Sequence, residues 1–264
     1  MKKNCKEKFF IQNIAHISHE LQTPVNLVAS TAKIMNHMLE KGINDEEKFK
    51  EYTQNIINNC NKVSMMLSNI MDINIINPSN FEYVNSKQFF DEFCLNIKNY
   101  LYEFNVNFKT DFKCEEECIY IPVNTIERII LNLITNSLKY TNKKKPNITL
   151  KMYDNQNSIY FSIKDNGIGI SEEDIKKITQ PFFRVDNTSS NGAGLGLTLV
   201  NEYISKLKGT LAIKSELKKG TEVIFSIPLN DKDKFISDEL NYIYTPEQST
   251  FAIEFSQFRN NYYK

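Results

Sequence analysis

Between residues 6 and 76 the chain carries a single glycine, Gly42, and a single proline, Pro24. Its apolar residues there recur at threes and fours, a period that suits a helix and not a strand. In the first half the series is Phe10, Ile14, Ile17, Leu21, Val25, Val28, Ala32, Met35 and Leu39. After Lys41-Gly42 it resumes as Tyr52, Ile56, Cys60, Val63, Leu67 and Ile70. Gly42 suits a helix C-cap, and Asn44 or Asp45 followed by Glu46 and Glu47 suits the next helix start. Residues 6–76 therefore predict an antiparallel helical hairpin. One hairpin has a single apolar stripe per helix and little core of its own. A second copy would bury both stripes in a four-helix bundle, so a homodimer is expected on packing grounds alone.

Asn77-Pro78 ends the second helix and opens a linker over 77–80. From 81 to 230 strand and helix patterns mix. Strands are predicted at Asn107–Phe112, Ile119–Ile121, Ile148–Tyr153, Ile159–Lys164, Thr210–Ser215 and Glu222–Ile227. Helices are predicted at Lys87–Glu103, Thr125–Tyr140, Glu172–Ile178 and Leu195–Lys206. Asp154-Asn155-Gln156-Asn157 makes a good hairpin turn between two of the strands. The fold class expected is α+β, the dimeric hairpin followed by an α/β sandwich with helices on one face. Residues 231–264 form a C-terminal tail of unknown role. In it Phe251, Ile253 and Phe255 alternate with polar or small residues, as in a strand added to a sheet edge or a frayed terminus.

Thirty-two basic residues balance 32 acidic ones at a pI near 6.8. No global field attracts nucleic acid or an anionic membrane, and no apolar run approaches a membrane span. The five cysteines lack the spacing of a zinc site and read as reduced structural thiols. The expected partners accordingly exclude nucleic acid and membrane contact by this segment, and the expected location is cytoplasmic.

Two of the glycine-bearing segments stand out in a chain with eight glycines. Asp165-Asn166-Gly167-Ile168-Gly169-Ile170 directly follows a predicted strand, and Gly192-Ala193-Gly194-Leu195-Gly196-Leu197 leads into a predicted helix. Such turns let backbone N–H groups approach an anion, with the helix start adding a favourable dipole. Asp165, at a strand end, can accept a hydrogen bond from an adenine amine; in an isolated turn it would simply cap its own backbone. In the helix around residues 128–141, Asn132, Asn136 and Lys139 share one stripe among apolar residues. Amide oxygens suit Mg²⁺ and the lysine suits phosphate. The plainer alternative for that stripe is a solvated face.

These segments together resemble the ATP-binding domain of sensor histidine kinases. Asn132–Tyr140 is similar to the N box, Asp165–Ile170 to the first glycine box, Gln180–Arg184 to the F box, Gly192–Gly196 to the second glycine box, and Lys219-Gly220-Thr221 to the last. Ser18-His19-Glu20-Leu21-Gln22-Thr23-Pro24 resembles the phosphoacceptor H box of the dimerisation hairpin. The resemblance implies a histidine kinase/gyrase-type ATP-binding fold over 81–230, with ATP and Mg²⁺ as cofactors. It implies autophosphorylation of His19 and transfer to an aspartate of a response regulator. Glu20 would act as base and Thr23 would orient a water, including for the reverse dephosphorylation. Asp165 would take the adenine amine, Asn136 the Mg²⁺, and Asn132 the phosphates or the metal's waters. Lys139 and Arg184 would neutralise phosphate, and Tyr140 would pack by the nucleoside. Gly167, Gly169, Phe182, Gly192, Gly194, Leu195, Gly196 and Thr221 would complete the ATP site, with 179–194 as a lid.

The hairpin gives His19 independent support. It lies off the stripe of Ile14, Ile17 and Leu21, so its imidazole should reach solvent, where a neutral ring nitrogen is a competent nucleophile. Three positions depart from the family pattern. Gln22 stands where arginine is commonest, Thr179 replaces a phenylalanine, and Val123 replaces a capping aspartate whose role Asn124 or Thr125 could take. None removes a catalytic group. The competing functions are a phosphatase-biased or catalytically weak docking scaffold and a related non-kinase ATPase. With the first helix starting near Met1, the expectation is the cytoplasmic part of a longer membrane-bound sensor, or an orphan governed by a partner.

Overall fold

A computed structural model describes residues 3–75, 81–141, 144–155, 157–180, 183 and 196–229. The chain divides into two compact units, Met1–Met71 and Asp72–Lys264. Among the described residues no helix is long and apolar enough to cross a membrane.

The first unit is the helical hairpin. Helix α1 runs Lys3–Glu40, with Pro24 inside it, and α2 runs Glu46–Ile75. The turn between them is built by two backbone bonds, Gly42 N to the Leu39 carbonyl (3.0 Å) and Ile43 N to the Met38 carbonyl (2.9 Å). This pairing satisfies the last carbonyls of α1 in the manner of a Schellman motif. Asp45 then caps α2, its carboxylate accepting from Lys48 N at 3.1 Å and lying 3.1 Å from Lys48 Nζ.

The enclosed face of each helix is rotated from the expected stripe. On α1 the least exposed positions are Leu21, Pro24, Val28, Thr31, Met35 and Met38; on α2 the partly enclosed series is Phe49, Tyr52, Ile56, Asn59, Val63 and Met66, with Asn58, Asn61 and Lys62 enclosed to a similar degree beside it. Both series step by alternating threes and fours, the seam of two supercoiled helices. Three members of each expected stripe belong to the seam: Leu21, Val28 and Met35, and Tyr52, Ile56 and Val63. Val25, Ala32, Leu39, Cys60 and Leu67 form a second edge beside it and stay exposed, Val25 at 50% and Leu39 at 63%.

The second unit contains β1 (Glu82–Asn85), α3 (Ser86–Tyr102), β2 (Asn107–Lys113), β3 (Cys118–Ile121), α4 (Val123–Lys139), β4 (Asn147–Asn155) and β5 (Ser158–Asp165). It continues with α5 (Glu172–Ile175), α6 (Gly196–Lys206), β6 (Thr210–Glu216) and β7 (Gly220–Pro228). Five strands form one sheet in the order β2-β4-β5-β7-β6, in which only β2 and β4 run parallel. Strand β1, absent from the sequence reading, pairs antiparallel with β3 in a separate two-stranded sheet. It is four residues long, too short to display a period, and its Val84 is fully buried.

One sheet face carries the core. Its rows cross the strands as Phe112–Met152–Phe161–Phe225–Leu211 and Thr110–Leu150–Ile163–Val223–Ile213. Helices α3, α4 and α6 supply the opposing side chains, among them Phe89, Phe93, Ile97, Ile126, Ile130, Val200 and Ile204. The other face carries Lys151, Tyr153, Tyr160, Lys164 and Glu222, polar groups suited to water. Burying about 150–250 Å² per aromatic ring at roughly 25 cal/mol per Å² makes the phenylalanine rows the main stabilising layer.

Helix α4 is buried nearly all round, from Val123 to Leu138, as befits a helix packed against both α6 and β5. Its cap differs from expectation. Pro122 is the N-cap, without a side-chain bond, and its carbonyl accepts from Thr125 N and Ile126 N. Asn124 and Thr125 lie inside the first turn, so neither replaces the missing aspartate. Proline tolerates this place because it has no N–H to satisfy at a helix start. Among the described residues Cys60, Cys94, Cys114 and Cys118 form no disulfide, and burial pushes the Cys94 thiol up to about 12.

Candidate functional site

Four elements of the second unit converge at the end of the core face. Along β5, Ile159, Phe161 and Ile163 point to the core and Asp165 is next in the same alternation. Its register partner on β4 is Ile148, so the carboxylate extends the core face by one row. Oδ1 accepts from Gly167 N at 2.8 Å and from Thr221 N, at the start of β7, at 3.1 Å. Oδ2 lies 3.1 Å from the Ser137 hydroxyl of α4. Burial pushes the Asp165 carboxyl up from its ordinary value, and the bonds from Gly167, Thr221 and Ser137 oppose that shift.

The glycine turn after β5 is pinned on both sides. Ile168 N donates to the Tyr140 carbonyl at the C-cap of α4, 2.9 Å away, and Lys218 N donates to the Ile168 carbonyl at 2.6 Å. Gly169 sits at φ +71°, where a Cβ would also collide with the Glu216 carbonyl. Ile170 N donates to Ser215 Oγ at 2.8 Å, which ties the turn to β6. Tyr140 and Ile168 leave an exposed apolar rim beside Asp165.

On α4, Asn132 is 5% exposed, and Asn136 and Lys139 are partly exposed. The stripe is not a solvated face at Asn132, because the start of α6 covers it. A Cβ on Gly196 would lie 2.5 Å from Asn132 Oδ1 and 3.4 Å from Asn136 Nδ2. Glycine, lacking a Cβ, lets the first turn of α6 approach both amides this closely. Helix α4 thus touches the α6 start through Asn132 and Asn136, and Asp165 and the glycine turn through Ser137 and the Tyr140 carbonyl. Phe182, Arg184, Gly192, Gly194 and Leu195 lie outside the described residues, as do most of segment 179–194, linker 77–80 and the Phe251–Phe255 alternation.

In the first unit His19 is exposed on α1. The Thr23 hydroxyl donates to the His19 carbonyl at 3.2 Å, so its proton is held by the backbone and its lone pairs are left to accept. Pro24 supplies no N–H to the carbonyl of Glu20 one turn earlier. The Glu20 side chain is outside the described set.

Ser137 is the residue the sequence reading passed over. It is 6% exposed and stands between Asn136 and the apolar Leu138. A hydroxyl among buried aliphatic neighbours is the signal that marks it, since such a group needs a partner.

Two family models match in tandem. The His Kinase A (phospho-acceptor) domain covers residues 11–78, and the Histidine kinase-, DNA gyrase B-, and HSP90-like ATPase covers 122–231. Autoinducer 2 sensor kinase/phosphatase LuxQ of Vibrio vulnificus is 28% identical over 229 residues, 82% of this chain and 26% of its own length. Histidine protein kinase SaeS of Staphylococcus epidermidis is 28% identical over 225 residues, 82% of this chain and 62% of its own. The chain therefore spans about a quarter of the LuxQ length. Among solved structures, histidine kinase ThkA in complex with response regulator protein TrrA has a TM-score of 0.65 at 21% identity. The match covers 86% of this chain and 64% of that one, a likeness of fold. A phospho-acceptor hairpin followed by this type of ATPase is the arrangement of one family, and the chain belongs to the sensor histidine kinases.

Proposed function

We propose that the chain is a histidine autokinase that transfers the γ-phosphoryl group of ATP to His19, as the core of a two-component transmitter working as a homodimer. The observation that carries this reading is that one helix, α4, sets Asn132 and Asn136 against Gly196 and bonds Asp165 through Ser137. Adenine enters with its amine on Asp165, its ring over the Tyr140–Ile168 rim, and its phosphates toward the α6 start. Lys139 and Arg184 neutralise phosphate charge, and Phe182 with Gly192, Gly194 and Leu195 belongs to the covering segment.

The donor set fits Mg²⁺ bound with nucleotide. Among the described residues no group of three or more His, Cys, Asp and Glu forms a metal cage. Asn136 offers a hard amide oxygen, with Asn132 beside it, and Mg²⁺ is commonly held by one or two protein oxygens plus substrate phosphates. When bound, Mg²⁺ neutralises charge on the phosphate oxygens. The chain's own residues do the rest. A ring nitrogen of His19 attacks the γ-phosphorus, the bond to the β,γ-bridging oxygen breaks, and ADP leaves. Glu20 receives the proton from the other ring nitrogen. The phosphoryl group then passes to an aspartate of a response regulator. LuxQ is by name a kinase/phosphatase, and Thr23, with lone pairs free to hold a water, supports the reverse reaction here. The exposed second edge of the hairpin supports the homodimer.

Incubation with γ-labelled ATP and Mg²⁺ tests the reading. Wild type should acquire acid-labile, base-stable label; His19→Ala should acquire none while still binding ATP, and Asn136→Ala should lose label by at least a hundredfold. Wild type that holds nucleotide yet takes up no label would leave a docking scaffold or a clamp-type ATPase.

A further inference from the structure

A carboxylate offers about four lone-pair sites, and at Asp165 the described residues fill three. Gly167 N and Thr221 N both reach Oδ1, and Ser137 Oγ reaches Oδ2. These donors come from three elements: the turn after β5, strand β7 and helix α4. One acceptor site remains, on Oδ2. A ligand edge with a single N–H completes the set, while an edge presenting a carbonyl there meets a lone pair.

The Ser137 hydroxyl also lies 3.0 Å from the Leu133 carbonyl. It has one proton for two acceptors. Leu133 already accepts the Ser137 backbone N–H inside α4, as every helical carbonyl does from four residues on. The ionised carboxylate is the stronger acceptor, so turning the hydroxyl to Asp165 strands nothing.

We infer that Ser137 is a positioning residue for base recognition, which occupies one face of Asp165 Oδ2 and thereby aims its last lone pair at the exocyclic amine of a 6-aminopurine. This rests on the nucleotide reading proposed above and extends it to how the base is selected. A hydrogen bond to a charged group that is well aimed in the wild type and free to wander in the variant is worth about tenfold in affinity.

The test compares binding of ATP with binding of the purine riboside triphosphate that carries hydrogen in place of the 6-amino group, using the full chain. Ser137→Ala should weaken ATP about tenfold and leave the deaminated analogue unchanged within about twofold. Ser137→Thr, which keeps the hydroxyl, should restore most of the ATP affinity. Ser137→Cys, close in volume and a weak donor, should show the same loss of preference as alanine. Analogue binding doubles as the check that each variant is folded. Equal losses for both nucleotides, or no loss for either in alanine and cysteine alike, would overturn the inference and leave Ser137 as a helix residue bonded to Leu133. Wild type that binds neither nucleotide would overturn the nucleotide reading itself, a result distinct from the others.

Discussion

At Asp165 the cap of a turn and the proposed anchor for a base are the same carboxylate. Oδ1 closes the glycine turn through Gly167 N, which is what an aspartate before glycine does in any such turn. The second oxygen is what differs, because the strand alternation carries it onto the core face. Burial holds its pKa up, so the charged form is disfavoured by folding. Stability contributed by this group is full below the ordinary carboxylate value and is lost as pH rises through the raised native value. Asp165→Asn removes that titration. Its amide oxygen can still accept from Gly167 and Thr221, and its NH₂ can donate to Ser137 as the hydroxyl turns to Leu133. The variant should match or exceed wild type in thermal melts at pH 7, with the difference shrinking as pH falls through the carboxylate range. Its ATP affinity should fall by roughly tenfold or more, since a bond to the ionised acceptor is lost. A variant less stable at pH 7 than at acid pH, relative to wild type, would contradict this sign.

At the scale of elements, the hairpin seam holds a polar amide among its apolar residues. Asn59 of α2 donates through Nδ2 to the Asn55 carbonyl at 2.8 Å, while its buried Oδ1 has no partner among the described residues. A buried unsatisfied oxygen costs about 1–3 kcal/mol. A polar residue at such a position is also a device for fixing register and partner number in helical bundles. Asn59→Leu should therefore raise stability by roughly 1 kcal/mol or more, read as a higher urea midpoint. Its assembly state or register should be less sharply defined, as judged by analytical ultracentrifugation. No gain in midpoint would mean that the Oδ1 atom finds a donor in the assembled protein.

At the scale of the whole molecule, the exposed edge of the hairpin is the surface that a lone chain cannot resolve. Val25, Leu39 and Leu67 stand in water beside a seam already closed, and in the proposed homodimer a second hairpin would cover them. Burying a leucine is worth about 1.5–3 kcal/mol. Leu39→Glu together with Leu67→Glu removes four leucines from a symmetric homodimer and should weaken it by roughly 6–12 kcal/mol, about ten-thousandfold or more. Light scattering should report twice the 30.8 kDa chain mass for wild type and the single mass for the variant. Equal masses would place the dimer contact elsewhere.

The sequence alone determined what depends on neighbours along the chain. The period of residues 6–76, the turn signal at Gly42, the strand alternation and the order of the glycine segments are local, and they were legible as two long helices followed by an α/β unit. Tertiary structure decided what depends on a remote partner. Periods of 3.5 and 3.6 both fit the hairpin, so only packing chose the Leu21–Pro24–Val28 face over the one containing Val25. Strand β1 is too short to carry a period and exists by pairing with β3. Val123 invited a side-chain cap that the backbone of Pro122 made unnecessary. Ser137 and Asp165 are 28 residues apart, and nothing local to either one announces the other. Their meeting follows from the sheet register and from the packing of α4 on β5, free energies that belong to the folded chain as a whole.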